Sequence, residues 1–481
     1  MACGHPATGA AAHRVLAAGG NAFDAVVAAG FAAAVAEPTL TSLGGGGFAL
    51  TRTAAGSEVL FDFFVDTPGL GEGAAVAEPH FVAVTVRFPG ADQVFHAGRG
   101  AAAVPGCLAG YLHLHARLGR LPLADVVRPA VALARDGVAL NRFQAYVVQL
   151  LTPILTLEPP GAALFAPGGA PLVEGDRYAN PATAAFLERL GTGAAGGFDD
   201  PATAVAVAAD MAAGAGLVTA ADLAAYRIVE RDPLAITYRG HRVLTNPPPA
   251  FGGELVALGL VLLDERGPEP SHGSADHLVA LVQTMIEADA VRAAGTVGER
   301  LRSSGGTTHV SVADGEGNVA AMTTSNGEGS GYLVPGTGVM LNNMLGEDDL
   351  HPDGFHAAAP GRRVSSMMAP TVVIGPDGEV ALALGSGGSK RIRTALLQVI
   401  SAVVDHGLDP VAAVTAPRLH WDGEQVHAEP GFAAASLAAV AERWPVNAWT
   451  ARDLYFGGAH AVRPGRGGVA AGDPRRGGWP A

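Results

Sequence analysis

A chain of 481 residues, 49% of them hydrophobic, can bury a large core as one large α/β unit or as about three domains. Its formal net charge of −14 denies it the basic surface that binding to nucleic acid or to another polyanion requires. Two cysteines, Cys3 and Cys107, make neither a disulfide framework nor a zinc-ligand pattern, and no apolar run reaches bilayer length. With no basic n-region and apolar core at its start, the chain reads as soluble and cytoplasmic, with no membrane partner.

The first residues predict two helices, Ala7 to Ala18 closed by Gly19-Gly20, and Asn21 to Ala36 capped by Asn21 and ended before Pro38. Leu43 to Phe48 carries four consecutive glycines ahead of a strand at Ala49 to Thr51, and Val59 to Val65 is another apolar strand. Such a glycine run either cradles a phosphate or lets two backbones cross closely. No Lys-Ser/Thr follows it, which favours the crossing. Helices are expected over Leu108 to Leu118, Leu123 to Asp136, Pro201 to Ala213 and Thr219 to Tyr226, the last with Thr219 as cap and Asp222 at the capping-box position. Pro153 to Pro171 reads as an irregular connection and Leu234 to Thr245 as one alternating strand that ends at Asn246-Pro247-Pro248-Pro249. A helix from His277 to Ala294 follows.

The stretch that carries chemistry is Ser303 to Asn326. Thr308, Val310 and Val312 alternate with His309, Ser311 and Ala313, a polar turn follows, and Val319 to Ser325 returns as the partner strand. In front stand Gly305 and Gly306, whose missing side chains permit a bent peptide. Thr307 either starts the strand or attacks the Gly306 carbonyl. In the second case hydrolysis of the ester frees a threonine whose own α-amine, with a pKa of roughly 7.7 to 8.0, serves as general base. Farther on, Val339 to Asn343 is a short strand and Pro370 to Gly385 a hairpin turned at Pro376-Asp377-Gly378. That hairpin ends in Gly385-Ser386-Gly387-Gly388-Ser389-Lys390-Arg391 and opens a helix from Ile392 to His406, an arrangement that binds a phosphate or an oxyanion. The P-loop spacing is absent, because Lys390 lies between Ser389 and Arg391.

Several stretches together resemble the gamma-glutamyltranspeptidase family of N-terminal nucleophile hydrolases. They are Gly19 to Ala25, Gly44 to Phe48, Val104-Pro105-Gly106, Pro247 to Gly253, and Thr307 to Val312 as Thr-Thr-His-x-Ser-Val. The resemblance covers nearly the whole chain. It implies a four-layer αββα sandwich made as a precursor and cut between Gly306 and Thr307 into a large part, residues 1–306, and a small part, residues 307–481, that remain partners. It also implies Thr307 as nucleophile, Ser325 as the hydroxyl that holds it, with Thr323 in reserve, and an oxyanion hole at Gly387-Gly388 or Gly388-Ser389. Asn342-Asn343 matches the family's Asn pair, and Ser365 and Ser366 match the serines that bind the substrate carboxylate. No cofactor or metal is implied. His351 and His356 are the nearest approach to a ligand pair, and Pro352 and Gly354 break their spacing.

The departures from the pattern concern the substrate. Phe64 stands where the family has the Arg that clamps the α-carboxylate of a γ-glutamyl group, and a neutral ring cannot make a bidentate, charge-assisted contact. Arg362, Arg363 and Arg391 are other cations that could take over the clamp. The acid that binds the α-amine is displaced to Glu347 or Asp348, unless that segment is a solvated acidic turn, and Gly327 replaces an Asn. Three functions follow: a γ-glutamyltransferase or glutathione hydrolase as the default, an acylase of the same mechanism for a non-glutamyl amide, and a scaffold that has lost catalysis.

Overall fold

The computed structural model describes residues 1–71, 76–88, 91–267, 270–295, 306–351 and 354–480. Ser303, Ser304 and Gly305, the start of the expected junction, lie outside them. Two wholly antiparallel sheets face each other. One runs, strand by strand, Trp479–Pro480, Ala2–Cys3, Thr308–Ala313, Val319–Ser325, Gly46–Arg52, Glu58–Phe63 and Val229–Arg231. The other runs Val469–Ala471, Gly458–Arg463, Val380–Gly387, Thr371–Ile374, His241–Thr245 and Leu234–Tyr238.

Alternation along the strands builds three layers of core. Val310, Val312, Ala320 and Met322 point away from the second sheet and pack on helices Ala22–Ala36, Cys107–Leu118 and Leu123–Asp136. Phe48, Leu50, Val319 and Ala321 point inward and meet Val372 and Ala383 between the sheets. Val243, Val373, Leu382 and Leu384 form the outer face of the second sheet beneath helices Phe251–Glu265, Ala275–Gly295 and Arg391–Val404. The result is an αββα sandwich, as the sequence implies.

Local signals set the helix ends. Asn21 accepts from Phe23 N and Asp24 N at 2.9 Å, while Asp24 accepts from Asn21 N at 3.0 Å, a closed capping box. The Ala-rich helix behind that cap rides tightly on the sheet, since a Cβ at Gly30 would come within 2.7 Å of the Tyr111 ring and 2.9 Å of Met322. The four glycines make a backbone crossing: a Cβ at Gly44 would fall on the Met340 carbonyl, at Gly45 on Ser325, and at Gly47 within 2.5 Å of the Thr323 carbonyl.

Two expectations are corrected, and one helix was not expected at all. Pro153 to Pro171 is largely helical, as Arg142–Leu155 and Pro159–Phe165, with Pro159 at the first helical position that suits it. Leu234 to Thr245 is two paired strands turned at Arg239 and Gly240, both with positive φ. Helix Phe251–Glu265 begins inside the Pro-Pro-Pro-x-x-Gly-Gly stretch, where Gly252 and Gly253 press on the backbones of Met367 and Asn246.

Burial sets the pH response of this core. His5, His277 and His460 are held down to about 4, and His309 and His420 well below their ordinary range. Between pH 6.5 and about 4 the unfolded chain therefore binds more protons than the folded one, so these rings contribute stability above pH 6.5 that is lost as pH falls through that window. Glu37, raised to about 7, and Asp66 and Glu254, also raised by burial, act with the opposite sign but are outweighed by the five buried rings. Urea midpoints are expected to drop clearly from pH 7.5 to pH 5, with each such ring worth on the order of 2 kcal/mol at the lower pH. Equal midpoints at the two values would contradict this.

Candidate active site

The hairpin register brings the sequence-predicted residues together. Thr308 pairs with Thr324 and His309 with Thr323, which sets Thr307 beside Ser325 at the end of the central strands. Both are almost fully buried. The Ser325 hydroxyl donates a short hydrogen bond to the carbonyl of Gly306 and itself accepts from Gly327 N at 2.9 Å. Ser325 thus touches the carbonyl that Thr307 would attack, where the sequence alone had it holding the Thr307 hydroxyl. Gly306 N donates to Glu328 Oε1 at 3.2 Å, so both polar atoms of Gly306 are held.

The loop behind Ser325 depends on a glycine. Gly327 has φ 61°, and a Cβ there would fall on Asn343 Oδ1 and on Glu347 Oε1. An Asn at 327 would meet those two side chains. Asn343 accepts from Glu328 N at 2.8 Å and donates to the His96 carbonyl at 3.1 Å, while Asn342 ties Ala103, Gly44 and Met344 together. Of the two acidic candidates, Glu347 is buried beside the site and Asp348 is exposed.

Opposite Thr307 stands the second sheet. A Cβ at Gly387 would fall on the Thr307 carbonyl, and Gly388 and Ser389 follow with φ 123° and 50° before helix Arg391–Val404 begins. The Gly387-Gly388 backbone therefore lies against Thr307. Ser366 is buried and accepts from Met368 N at 3.1 Å, Ser365 is half-buried, and among the described residues neither hydroxyl bonds to the Thr307 group.

Phe64 is a core residue. It is 1% exposed and stacks on Phe48 with ring centroids 5.5 Å apart. Arg363 is spent on Asp62 and Asp66, each at 2.6 Å, and lies over the Tyr226 ring. Arg391 donates to the Tyr455 carbonyl at 2.9 Å, and Arg362 is exposed. His351 and His356 bond the carbonyls of Met344 and Gly100, and among the described residues no group of three or more His, Cys, Asp or Glu is gathered for a metal ion. Cys3 and Cys107 are buried free thiols, and no described helix is long and apolar enough to cross a membrane.

Three residues escaped the sequence reading. Glu37 ends an apolar helix and lies fully buried beneath Thr308, accepting from Thr8 Oγ1 at 2.8 Å and Thr308 Oγ1 at 2.7 Å, with burial raising it to about 7 against those hydroxyls. An acid inside an Ala-rich stretch was its signal. His309 bridges Thr323 and Ser311 at 2.8 Å each, and its low pKa, caused by burial, leaves it neutral. A Cβ at Gly385 would fall on its ring. The third is Arg476, whose Nη1 donates to the Thr307 carbonyl at 3.3 Å.

A family model described as gamma-glutamyltranspeptidase matches residues 8–298 and 289–481. The chain belongs to the gamma-glutamyltranspeptidase family. Among curated relatives, the acylase ACY 1 proenzyme of Pseudomonas sp. (strain SE83) is 34% identical over 477 residues, covering 91% of this chain and 85% of that one. The glutathione hydrolase proenzyme of Escherichia coli (strain K12) is 30% identical over 490 residues, covering 88% and 81%. Among solved structures, the cephalosporin acylase from Bacillus halodurans superposes with a TM-score of 0.84 at 26% identity, covering 100% of this chain and 95% of that one. As a member of the gamma-glutamyltranspeptidase family the chain is an N-terminal nucleophile hydrolase or transferase of acyl amides.

Proposed function

We propose that the chain matures by cutting itself between Gly306 and Thr307 and then works as an acylase on amides whose acyl group lacks an α-carboxylate. The observation that carries the reading is the Gly306 carbonyl held by the Ser325 hydroxyl next to Thr307. In the first step Thr307 Oγ attacks the Gly306 carbonyl carbon, the C–N bond breaks, and the hydroxyl proton ends on the Thr307 nitrogen. Ser325 stabilises the oxyanion that forms. Water then hydrolyses the ester, leaving a Gly306 carboxylate and a free threonine hydroxyl. In turnover the α-amine takes that hydroxyl's proton, Oγ attacks the substrate amide, and the leaving amine receives the proton. The Gly387-Gly388 backbone is positioned to meet the charge on the substrate oxygen, and water or a second amine takes the acyl group.

Substrate choice rests on Phe64 and Arg363. An acyl group with a carboxylate meets no cation from position 64, because Phe64 is packed into the core between the sheets, and Arg363 is already paired with two carboxylates. Loss of such a charged hydrogen bond costs about 1.5 to 3 kcal/mol, roughly ten- to a hundredfold in binding. The γ-glutamyl reading is the second one, supported by Glu347 beside the site as an acceptor for an α-amine and by the glutathione hydrolase relative. The deciding comparison is kcat/KM for a γ-glutamyl anilide against its decarboxylated analogue. We expect the analogue to be favoured at least about tenfold. A strong preference for the intact α-carboxylate would restore the γ-glutamyl assignment.

A further inference from the structure

Arg476 is 3% exposed, and its place is built from backbone. A Cβ at Gly458 would lie within 2.8 Å of three of its aliphatic carbons, at Gly387 within 3.1 Å of Nη1, and at Gly388 within 3.3 Å of Nη2. A side chain at Gly458 would displace the stem of Arg476, and one at Gly387 or Gly388 would crowd its guanidinium. The turn that carries it, Pro474–Arg476, is fixed by Asp473, which accepts from Arg475 N at 2.9 Å and Ala459 N at 2.8 Å and pairs with Arg418 at 2.7 Å. So held, Arg476 donates Nη1 to the Thr307 carbonyl at 3.3 Å and Nη2 to the Leu454 carbonyl at 3.4 Å, while its Nε has no hydrogen-bond partner among the described residues. That is a costly arrangement for a residue with only a packing role.

We infer that Arg476 is a positioning residue for the nucleophile: it pins the carbonyl of Thr307 and sets a fixed positive charge beside the α-amine that must be unprotonated to act as base. This rests on the proposed role of that amine. The carbonyl and nitrogen of one residue are only about 3 to 4 Å apart, which places the guanidinium within roughly 7 Å of the amine. A like charge at that range disfavours protonation by about one pH unit at an effective dielectric near 20 to 40.

Glu328, whose Oε1 accepts from Gly306 N in the uncut chain, and the buried Glu347, whose Oε1 lies against Gly327, oppose Arg476 from the Ser325 side. Glu37 lies beneath Thr308 on the helix side, while His309 and His460 are kept neutral by burial. Arg391, Asp453 and Asp473 surround Arg476 itself, and burial lowers its pKa only to about 10, so it stays cationic at neutral pH.

The test is the acid limb of kcat against pH in the mature enzyme. Arg476→Met should move that limb upward by about one pH unit, and Arg476→Lys should leave it in place. Glu328→Gln, which removes the opposite charge, should move it downward, and it carries the test if Arg476→Met does not mature. A limb that stays put in the variants that mature, with only the plateau lowered, would make Arg476 structural and overturn the inference. Failure of the underlying reading shows separately: a wild-type enzyme that keeps its activity after acetylation of the Thr307 amine does not use that amine at all.

Discussion

Thr307→Ala should be isolated as one intact chain under conditions in which the wild type becomes two pieces, residues 1–306 and 307–481. It should also lose amidase activity by at least about 10⁴-fold, because the same hydroxyl serves both steps. Intact mass spectrometry reads the first effect and anilide release the second. Ser325→Ala should mature more slowly by about a hundred- to a thousandfold, since the Gly306 carbonyl loses its donor. A Thr307→Ala protein that is still cut at this bond would show that the hydroxyl is not the attacking group. The cut need not separate the pieces. Each sheet mixes strands from both sides of the junction, with Thr308–Ala313 flanked by Ala2–Cys3 and Val319–Ser325, and Thr371–Ile374 by His241–Thr245 and Val380–Gly387.

The second large effect is expected from Phe64→Arg. From sequence alone the change would restore the family's clamp and improve γ-glutamyl turnover. Between the sheets it instead drives a guanidinium into the apolar cluster of Phe48, Leu60, Met344 and Met368, and the nearby Asp62 is already paired with Arg363 and Arg231. A destabilisation of about 3 to 5 kcal/mol follows, with loss of soluble protein and no gain for the γ-glutamyl anilide. Urea unfolding and kcat/KM on the same preparation check it. A stable Phe64→Arg protein with a tenfold gain would mean that the ring faces substrate after all.

Much of this fold was legible because its signals are local. The Asn21 and Thr219 caps, the two-residue period on either side of Asp314, and the glycines before Phe48 each declare their structure within a few residues. The turn at Arg239 and Gly240 was hidden because the alternation of Leu234 to Thr245 runs on through it. Helix Phe251–Glu265 was hidden by the glycines of its first turn. At the site, motif and spacing singled out Thr307, Ser325 and the Gly387-Gly388 loop, and the fold brings these three together. Glu37, Arg476 and the bridging role of His309 were not singled out. Glu37 meets Thr308 across 271 positions and Arg476 meets Thr307 across 169, and no local pattern records such pairs. Phe64 shows the reverse error. The substitution was visible, but only packing reveals that the ring turned into the core rather than leaving a gap beside the substrate.

The strand Ala2–Cys3 lies between the nucleophile strand and Trp479–Pro480, with Ala2 opposite both Ser311 and Pro480. Antiparallel neighbours about 4.8 Å apart, with Pro480 facing Ala2, have the geometry of the two arms of a hairpin. A loop of a few residues from Pro480 to Ala2 would make the protein a closed ring, and that ring can be reopened between Gly306 and Thr307. Such a circular permutant would be translated with Thr307 directly after its initiator methionine. Removal of that methionine, rather than self-cleavage, would expose the amine. Acquiring the nucleophile and using it would then be separate events, and residues needed only for the first could be told from those needed for the second.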